Sequence, residues 1–153
     1  AAFEMTEDCK MELKDYMPSE NTAFLPDHGT WKECIGAAGA LLEANGYIDA
    51  SYTDAMVSMV ETMGPYIVIM PGIALAHARP AGNVKKNGIS LVTLKNGVNF
   101  GSEDNDPVYA VFAIAARSDA EHLVLFKALG RFLADEEKAE AVKSVKAYED
   151  IVF

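Results

Sequence analysis

The run VYAVFAIAA, residues 108–116, is apolar at odd and even positions alike. Successive side chains of an extended strand point to opposite faces, so a run with no polar alternation needs cover on both sides. It reads as a central strand with helices above and below. The rest of the chain supplies them. In TWKECIGAAGALLEANG, Thr30 and Glu33 have capping-box spacing, Cys34, Ile35, Ala38, Leu41 and Leu42 repeat at helical spacing, and Asn45-Gly46 marks a stop. SYTDAMVSMVETMGP repeats the plan, with Ser51 and Asp54 as the box, Tyr52, Met56, Met59, Val60 and Met63 as the apolar face, and Gly64-Pro65 as the end. A third helix opens at Ser118 with Glu121 at the same spacing, and places His122, Phe126, Leu129 and Leu133 on one face. A fourth starts at Asp135, with Ala139 and Val142 towards the core.

Between the helix pairs the pattern turns to β. YIVIM (66–70), bounded by Pro65 and Pro71, reads as a buried strand. Ile89–Leu94 reads as another, Asn96-Gly97 as a tight turn, and Val98–Phe100 as its hairpin partner. Residues 1–29 are polar and mixed, and read as a short helix or loose arm. The expected fold class is α/β: one domain, a mixed β-sheet flanked by helices.

Composition excludes several classes. The chain has 153 residues, half of them hydrophobic, which suits one domain with a sizeable core. Its formal net charge of −10 argues against nucleic acid and suits a basic partner. No run is long or apolar enough to cross a bilayer. The opening AAFEMTEDCKMELK has no apolar signal region, and Met11 is a plausible native start. Residues 1–10 are therefore expected to be an extension, and 11–153 the domain. The two cysteines, Cys9 and Cys34, form no CxxC, so a reducing, cytoplasmic setting is expected.

No phosphate-binding glycine loop, HExxH, GxSxG or EF-hand pattern occurs. The three histidines are far apart in sequence and neither cysteine neighbours one, so neither a metal site nor a cofactor is expected. His28, in the loop PDHGT, reads as a solvated residue. His77 sits in PGIALAHARP, after a strand and at a Pro- and Gly-rich turn, where functional residues often gather. The competing reading is a packed core histidine. His122 lies in the first turn of the third helix, where free N–H groups favour a bound anion. Its competing reading is one polar group on an apolar face. Taken together, His77 and His122 suggest a nucleophile and a helper, since neutral imidazole attacks phosphorus well near neutral pH. Arg79 is a candidate to neutralise phosphoryl charge. Gly72, Ala74, Ala76 and Ala78 would leave the imidazole open to a docking protein. The acidic loop Glu103-Asp104-Asn105-Asp106 reads as a solvated turn, or as a patch near the active face that contributes to partner choice.

Gly64-Pro65-Tyr66 followed by PGIALAHARP resembles the phosphohistidine segment of enzyme IIA proteins of the bacterial phosphoenolpyruvate-dependent sugar phosphotransferase system, mannitol–fructose type. NGISLVTLKNGVNFGSEDNDPV (87–108) and DAEH (119–122) match in order, and SLVTL with EDNDPV points to the ascorbate-like branch. The resemblance runs from about Met11 to the C-terminus. It implies a mixed sheet with helices on its faces. It also implies a relay in which the phosphocarrier HPr donates to His77, and the group passes to a cognate enzyme IIB that serves a membrane enzyme IIC. His77 matches the phosphorylated histidine, and His122 the second, hydrogen-bonding one. A homodimer is left open.

Two departures stand out. The family usually has proline before the active histidine, and here it is Ala76, which removes a φ constraint and predicts a differently shaped or more mobile His77 segment. Mannitol-type members carry an arginine on the preceding helix, and none lies near Met59. Arg79 or Arg117 is the candidate substitute. Two other readings use the same resemblance: a regulatory enzyme IIA-type domain that binds partners according to phosphorylation state, and a non-catalytic binding module in which His77 is idle.

Overall fold

The computed structural model describes residues 11–25 and 29–153. Thr22–Leu25 (β1), Val68–Met70 (β2), Ile73–Ala76 (β3), Gly88–Val98 (β4) and Val108–Ala115 (β5) form one sheet in the order β1-β4-β5-β3-β2. The β1–β4 and β3–β5 pairs are parallel, while β4–β5 and β2–β3 are antiparallel. The sheet is mixed, and the apolar run 108–116 is its centre, as the absence of alternation requires.

Helices cover both faces. Leu13–Tyr16 (α1), Asp119–Leu133 (α4) and Glu136–Val142 (α5) lie on one side, and Trp31–Ala44 (α2) and Ala50–Met63 (α3) on the other. The two-residue period of β5 sorts the core. Ala110, Phe112 and Ile114 pack with Leu125 and Leu129 of α4, while Val111, Ala113 and Ala115 pack with Ile35 and Ala38 of α2 and Met56 of α3. Each Leu, Phe or Ile buried this way contributes roughly 1.5–3 kcal/mol. Two short polar bonds tie helical layers to the sheet: Ser90 Oγ donates to the Ala38 carbonyl at 2.8 Å, and Thr93 Oγ1 to that of Val145 at 2.9 Å.

The caps at Thr30 and Ser118 form. Each hydroxyl accepts the N–H three residues on, at 3.2 Å in both cases. Asp135 caps α5 through the N–H groups of Glu137 and Lys138. The box expected at Ser51 and Asp54 does not form. Helix α3 starts two residues earlier, with Asp49 as N-cap and no side-chain cap bond, and Ser51 Oγ instead accepts from Asn83 Nδ2 at 3.2 Å.

The sheet corrects three expectations. YIVIM is not a buried strand: only Val68–Met70 is extended, it forms an edge, and Ile69 is 46% exposed. The buried strand beside the centre is β3, inside PGIALAHARP itself. Asn96-Gly97 is not a hairpin turn. No non-glycine residue described has positive φ and Gly97 is not among the positive-φ glycines, so a type I′ turn is ruled out; β4 runs through to pair Val98 with Val108 after a register shift. Gly97 serves a different need, since a Cβ there would stand 2.5 Å from Pro107 Cβ. Finally, residues 11–25 contain the short helix expected there and are not a loose arm. They supply α1 and the edge strand β1, and Asn21 Nδ2, fully buried, donates to the Ile89 carbonyl at 3.2 Å. The expected extension at residues 1–10, with Cys9, and the loop residue His28 lie outside the described residues. Cys34 is buried on α2.

Candidate functional site

Strand β3 ends at Ala76, so His77 is the first residue off a fully buried strand. Odd-numbered β3 residues, Ile73 and Leu75, face the α4 side, and His77 continues that alternation. Helix α4 begins just after β5, the neighbour of β3. Ser118 caps it, and His122 stands on the first turn, its N–H bonded to the Ser118 carbonyl at 2.9 Å. Parallel pairing of β3 with β5 thus brings together two histidines 45 positions apart in sequence. Their ring centroids are 5.5 Å apart, with planes inclined by 53°.

Aromatic groups box in the His77 ring. Phe126, one turn after His122, lies 5.4 Å from it edge-on, and Tyr66 lies 5.7 Å away at 89°. His77 Nδ1 is 2.9 Å from the Leu75 carbonyl oxygen. A carbonyl only accepts, so in the neutral ring Nδ1 carries the proton and Nε2 keeps its lone pair. His122 packs against Phe126 at 4.8 Å, and its Nε2 is buried with no hydrogen-bond partner among the described residues. Burial lowers the His122 pKa below its ordinary 6.5, His77 lowers it further, and Asp119 works weakly against both. His122 is therefore neutral at neutral pH.

The histidines open into a cavity of about 320 Å³, whose lining includes Met59, Met63, Tyr66, Arg79 and Asp119. Arg79 thus joins the two histidines. Arg117 does not line that cavity; its backbone N–H donates to Asn87 Oδ1 at 2.9 Å. Among the described residues, no group of three His, Cys, Asp or Glu side chains is placed to hold a metal ion.

Position 76, where proline is replaced by alanine, lies within the sheet. Ala76 is 1% exposed and in register with Ala113 on β5. Just beyond His77, the buried hydroxyl of Tyr52 receives the Ala78 N–H at 3.1 Å and donates to the Ile114 carbonyl at 2.6 Å. Burial pushes the Tyr52 pKa up to about 12, against the favourable Ala78 bond, with Tyr66 adding to the rise. The phenol is a standing donor. Sequence reasoning placed Tyr52 on the apolar stripe and missed this bond, because periodicity shows which way a ring points and not what its hydroxyl meets. Asp119 and Phe126 were missed as site groups for the same reason.

The acidic loop lies elsewhere. The Asn105 carbonyl accepts the Gly72 N–H at 3.0 Å, which places the loop beside the start of β3, about 13 Å of strand from His77. The Asp106 carboxylate accepts the N–H groups of Phe100 and Gly101 at 3.0 and 2.8 Å. The loop is a hydrogen-bonded turn at the opposite end of the sheet, not part of the histidine face.

Residues 16–152 match the family model of the phosphoenolpyruvate-dependent sugar phosphotransferase system, EIIA 2. The chain belongs to this enzyme IIA family. A relative from Escherichia coli (strain K12), the ascorbate-specific PTS system EIIA component, is 33% identical over 144 residues, 93% of this chain and 94% of its own length. Among solved enzyme IIA structures, the mannitol-specific cryptic phosphotransferase enzyme IIA from Escherichia coli has a TM-score of 0.83 at 29% identity, covering 92% of this chain and 95% of the other. The Escherichia coli complex of mannitol enzyme IIA with phosphorylated enzyme IIB aligns with a TM-score of 0.76 at 29% identity, covering 87% and 92%. The five-stranded mixed sheet with helices on both faces is thus the enzyme IIA fold, and His77 and His122 meet at one end of it. No helix among the described residues is long and apolar enough to cross a membrane.

Proposed function

We propose that this enzyme IIA is a cytoplasmic phosphohistidine carrier of an ascorbate-type phosphotransferase system. It takes a phosphoryl group from HPr on Nε2 of His77 and passes it to a cognate enzyme IIB, which serves the membrane enzyme IIC. One observation carries the reading: the Leu75 carbonyl holds His77 Nδ1 as a donor, which leaves the Nε2 lone pair free beside His122. In the accepting step an N–P bond forms at His77 Nε2 as the donor's N–P bond breaks, and in delivery that His77 N–P bond breaks as phosphorus bonds to the nucleophile of enzyme IIB.

Little covalent chemistry is asked of the protein in such a transfer; positioning and charge stabilisation do most of the work. Aromatic contacts and the Nδ1 bond orient the His77 ring. His122, kept neutral by burial, has an N–H to offer a phosphoryl oxygen without the cost of a second buried cation. Arg79, on the cavity wall, supplies positive charge as the equatorial oxygens pass between proteins. On the cavity wall Met63 and Tyr66 are exposed apolar side chains, a surface that suits a docking protein and excludes water from the transfer.

The ascorbate assignment rests on the curated relatives named for that substrate. Its test is competition between acceptors. Phosphorylated protein is mixed with an ascorbate-type enzyme IIB or a mannitol-type one, and phosphoryl transfer is timed. Faster transfer to the ascorbate-type acceptor supports the reading; equal or reversed preference rejects it.

A further inference from the structure

A second cavity lies away from the histidines. It holds about 550 Å³ and opens where β1 and β4 run past the helical cover, towards the end of the sheet that carries the acidic loop. Thr93 and Leu94 of β4 form its floor, Phe24 and Tyr109 flank it, and the segment after α5 makes the remaining wall. The Thr93–Val145 hydrogen bond joins floor to wall, so the hollow is built into the fold. Its surface is mostly apolar, and its size suits a small organic molecule.

The charge around it is unlike the rest of the chain. Acidic residues outnumber basic ones by 23 to 13 overall, yet Lys95, Lys143 and Lys146 line this cavity and no carboxylate among the described residues does. Lys143 is partly occupied, by Glu140 at 2.8 Å and the Pro71 carbonyl at 3.2 Å. Lys95 and Lys146 are exposed and have no ion-pair partner among the described residues. An apolar basin with uncompensated ammonium groups at its rim favours a ligand with both characters. A bare inorganic anion would lose hydration to walls that cannot replace it, and a neutral apolar molecule would leave the ammonium groups unused.

We infer that this cavity binds a small amphipathic organic anion of the aryl carboxylate kind, with its ring between Phe24 and Tyr109 and its carboxylate towards Lys95 and Lys146. The site stands apart from the phosphotransfer centre and does not depend on the function proposed for it.

Titration of the ¹⁵N-labelled full chain with phenylpropanoate, with the neutral phenylpropanamide and with acetate tests this. Phenylpropanoate is expected to give saturable amide shifts at Thr93, Lys95, Tyr109 and Val145, with His77 and His122 unmoved, and the other two probes to bind far more weakly. Replacing both exposed lysines, Lys95→Gln with Lys146→Gln, is expected to weaken phenylpropanoate roughly tenfold, the combined worth of two partly solvated charge contacts. An otherwise unchanged spectrum would show that the double variant is folded. Equal binding of phenylpropanamide would reduce the cavity to an apolar trap, and equal binding of acetate would reduce it to surface charge. Either overturns the inference, as do shifts confined to the histidine face or no saturation up to the solubility of the probe.

Discussion

The phenolic oxygen of Tyr52 accepts the backbone N–H of Ala78 at 3.1 Å, one residue beyond His77. The same hydroxyl donates to the carbonyl of Ile114 on β5. A single buried phenol thus ties the segment after His77 to the strand that leads to His122. Tyr52→Phe removes both of these buried bonds and is expected to cost about 1–3 kcal/mol of stability. It is also expected to slow phosphoryl transfer, because the His77 backbone loses its anchor. Ser90→Ala is the control, since it deletes another buried bond to a backbone carbonyl, two strands away from β3. Denaturant midpoints and transfer rates for both variants separate the effects: both lose stability, and Tyr52→Phe alone loses rate.

His122 predicts a pH dependence of known sign. Its folded pKa lies below the ordinary 6.5, so as pH falls the unfolded chain takes up the proton first. The stability gained by keeping His122 neutral is present above 6.5 and is lost as pH drops through the folded value. Urea midpoints measured from neutral to mildly acidic pH should fall more steeply for the natural chain than for His122→Asn. Equal slopes would show that His122 is not the titrating group.

His122 also bears on rate. His122→Ala should leave His77 able to accept phosphate but slow the transfer on the order of 10²-fold, the usual cost of removing one donor to a developing oxyanion. Single-turnover transfer from phosphorylated HPr measures it.

Arg79→Ala should slow transfer by about tenfold or more, with Arg79→Lys recovering part of the loss, as expected of a charge contact that a forked guanidinium makes better than an ammonium. Arg117→Ala, outside the cavity, should leave the rate unchanged. The comparison distinguishes local charge stabilisation from a general effect of net charge.

The contact between α2 and α3 carries its own prediction. A Cβ on Gly39 would stand 2.4 Å from Thr53 Oγ1, and Thr53 also donates to Glu43 Oε2 at 2.8 Å. Gly39→Ala should therefore destabilise by about 1–3 kcal/mol despite its better helix propensity. Thermal unfolding checks it.

What was legible in the sequence follows from the range of the forces involved. β5 could be read because both of its faces are apolar, and α2 and α4 because their caps are local hydrogen bonds. β1 could not: Thr22–Leu25 is four residues without alternation, extended because it pairs with Leu91–Leu94, far along the chain. Asn96-Gly97 misled because its turn signal is local, while pairing with β5 and the close approach of Pro107 are not. At the site, the motif pointed to His77 and His122, but only the parallel β3–β5 pairing brings them to one end of the sheet. The Tyr52 bonds, the buried Nε2 of His122 and the remote place of the acidic loop all depend on tertiary contacts that no periodicity encodes.

The most direct measurement of the central claim is the site of the phosphoryl group itself. Protein labelled with ¹⁵N at histidine is incubated with phosphoenolpyruvate, enzyme I and HPr, and the phosphorylated nitrogen is read from its coupling to phosphorus. The account predicts one acid-labile phosphoryl group per chain, on Nε2 of His77, and none on His77→Ala. Label on another residue, on Nδ1 of His77, or undiminished in His77→Ala would contradict it.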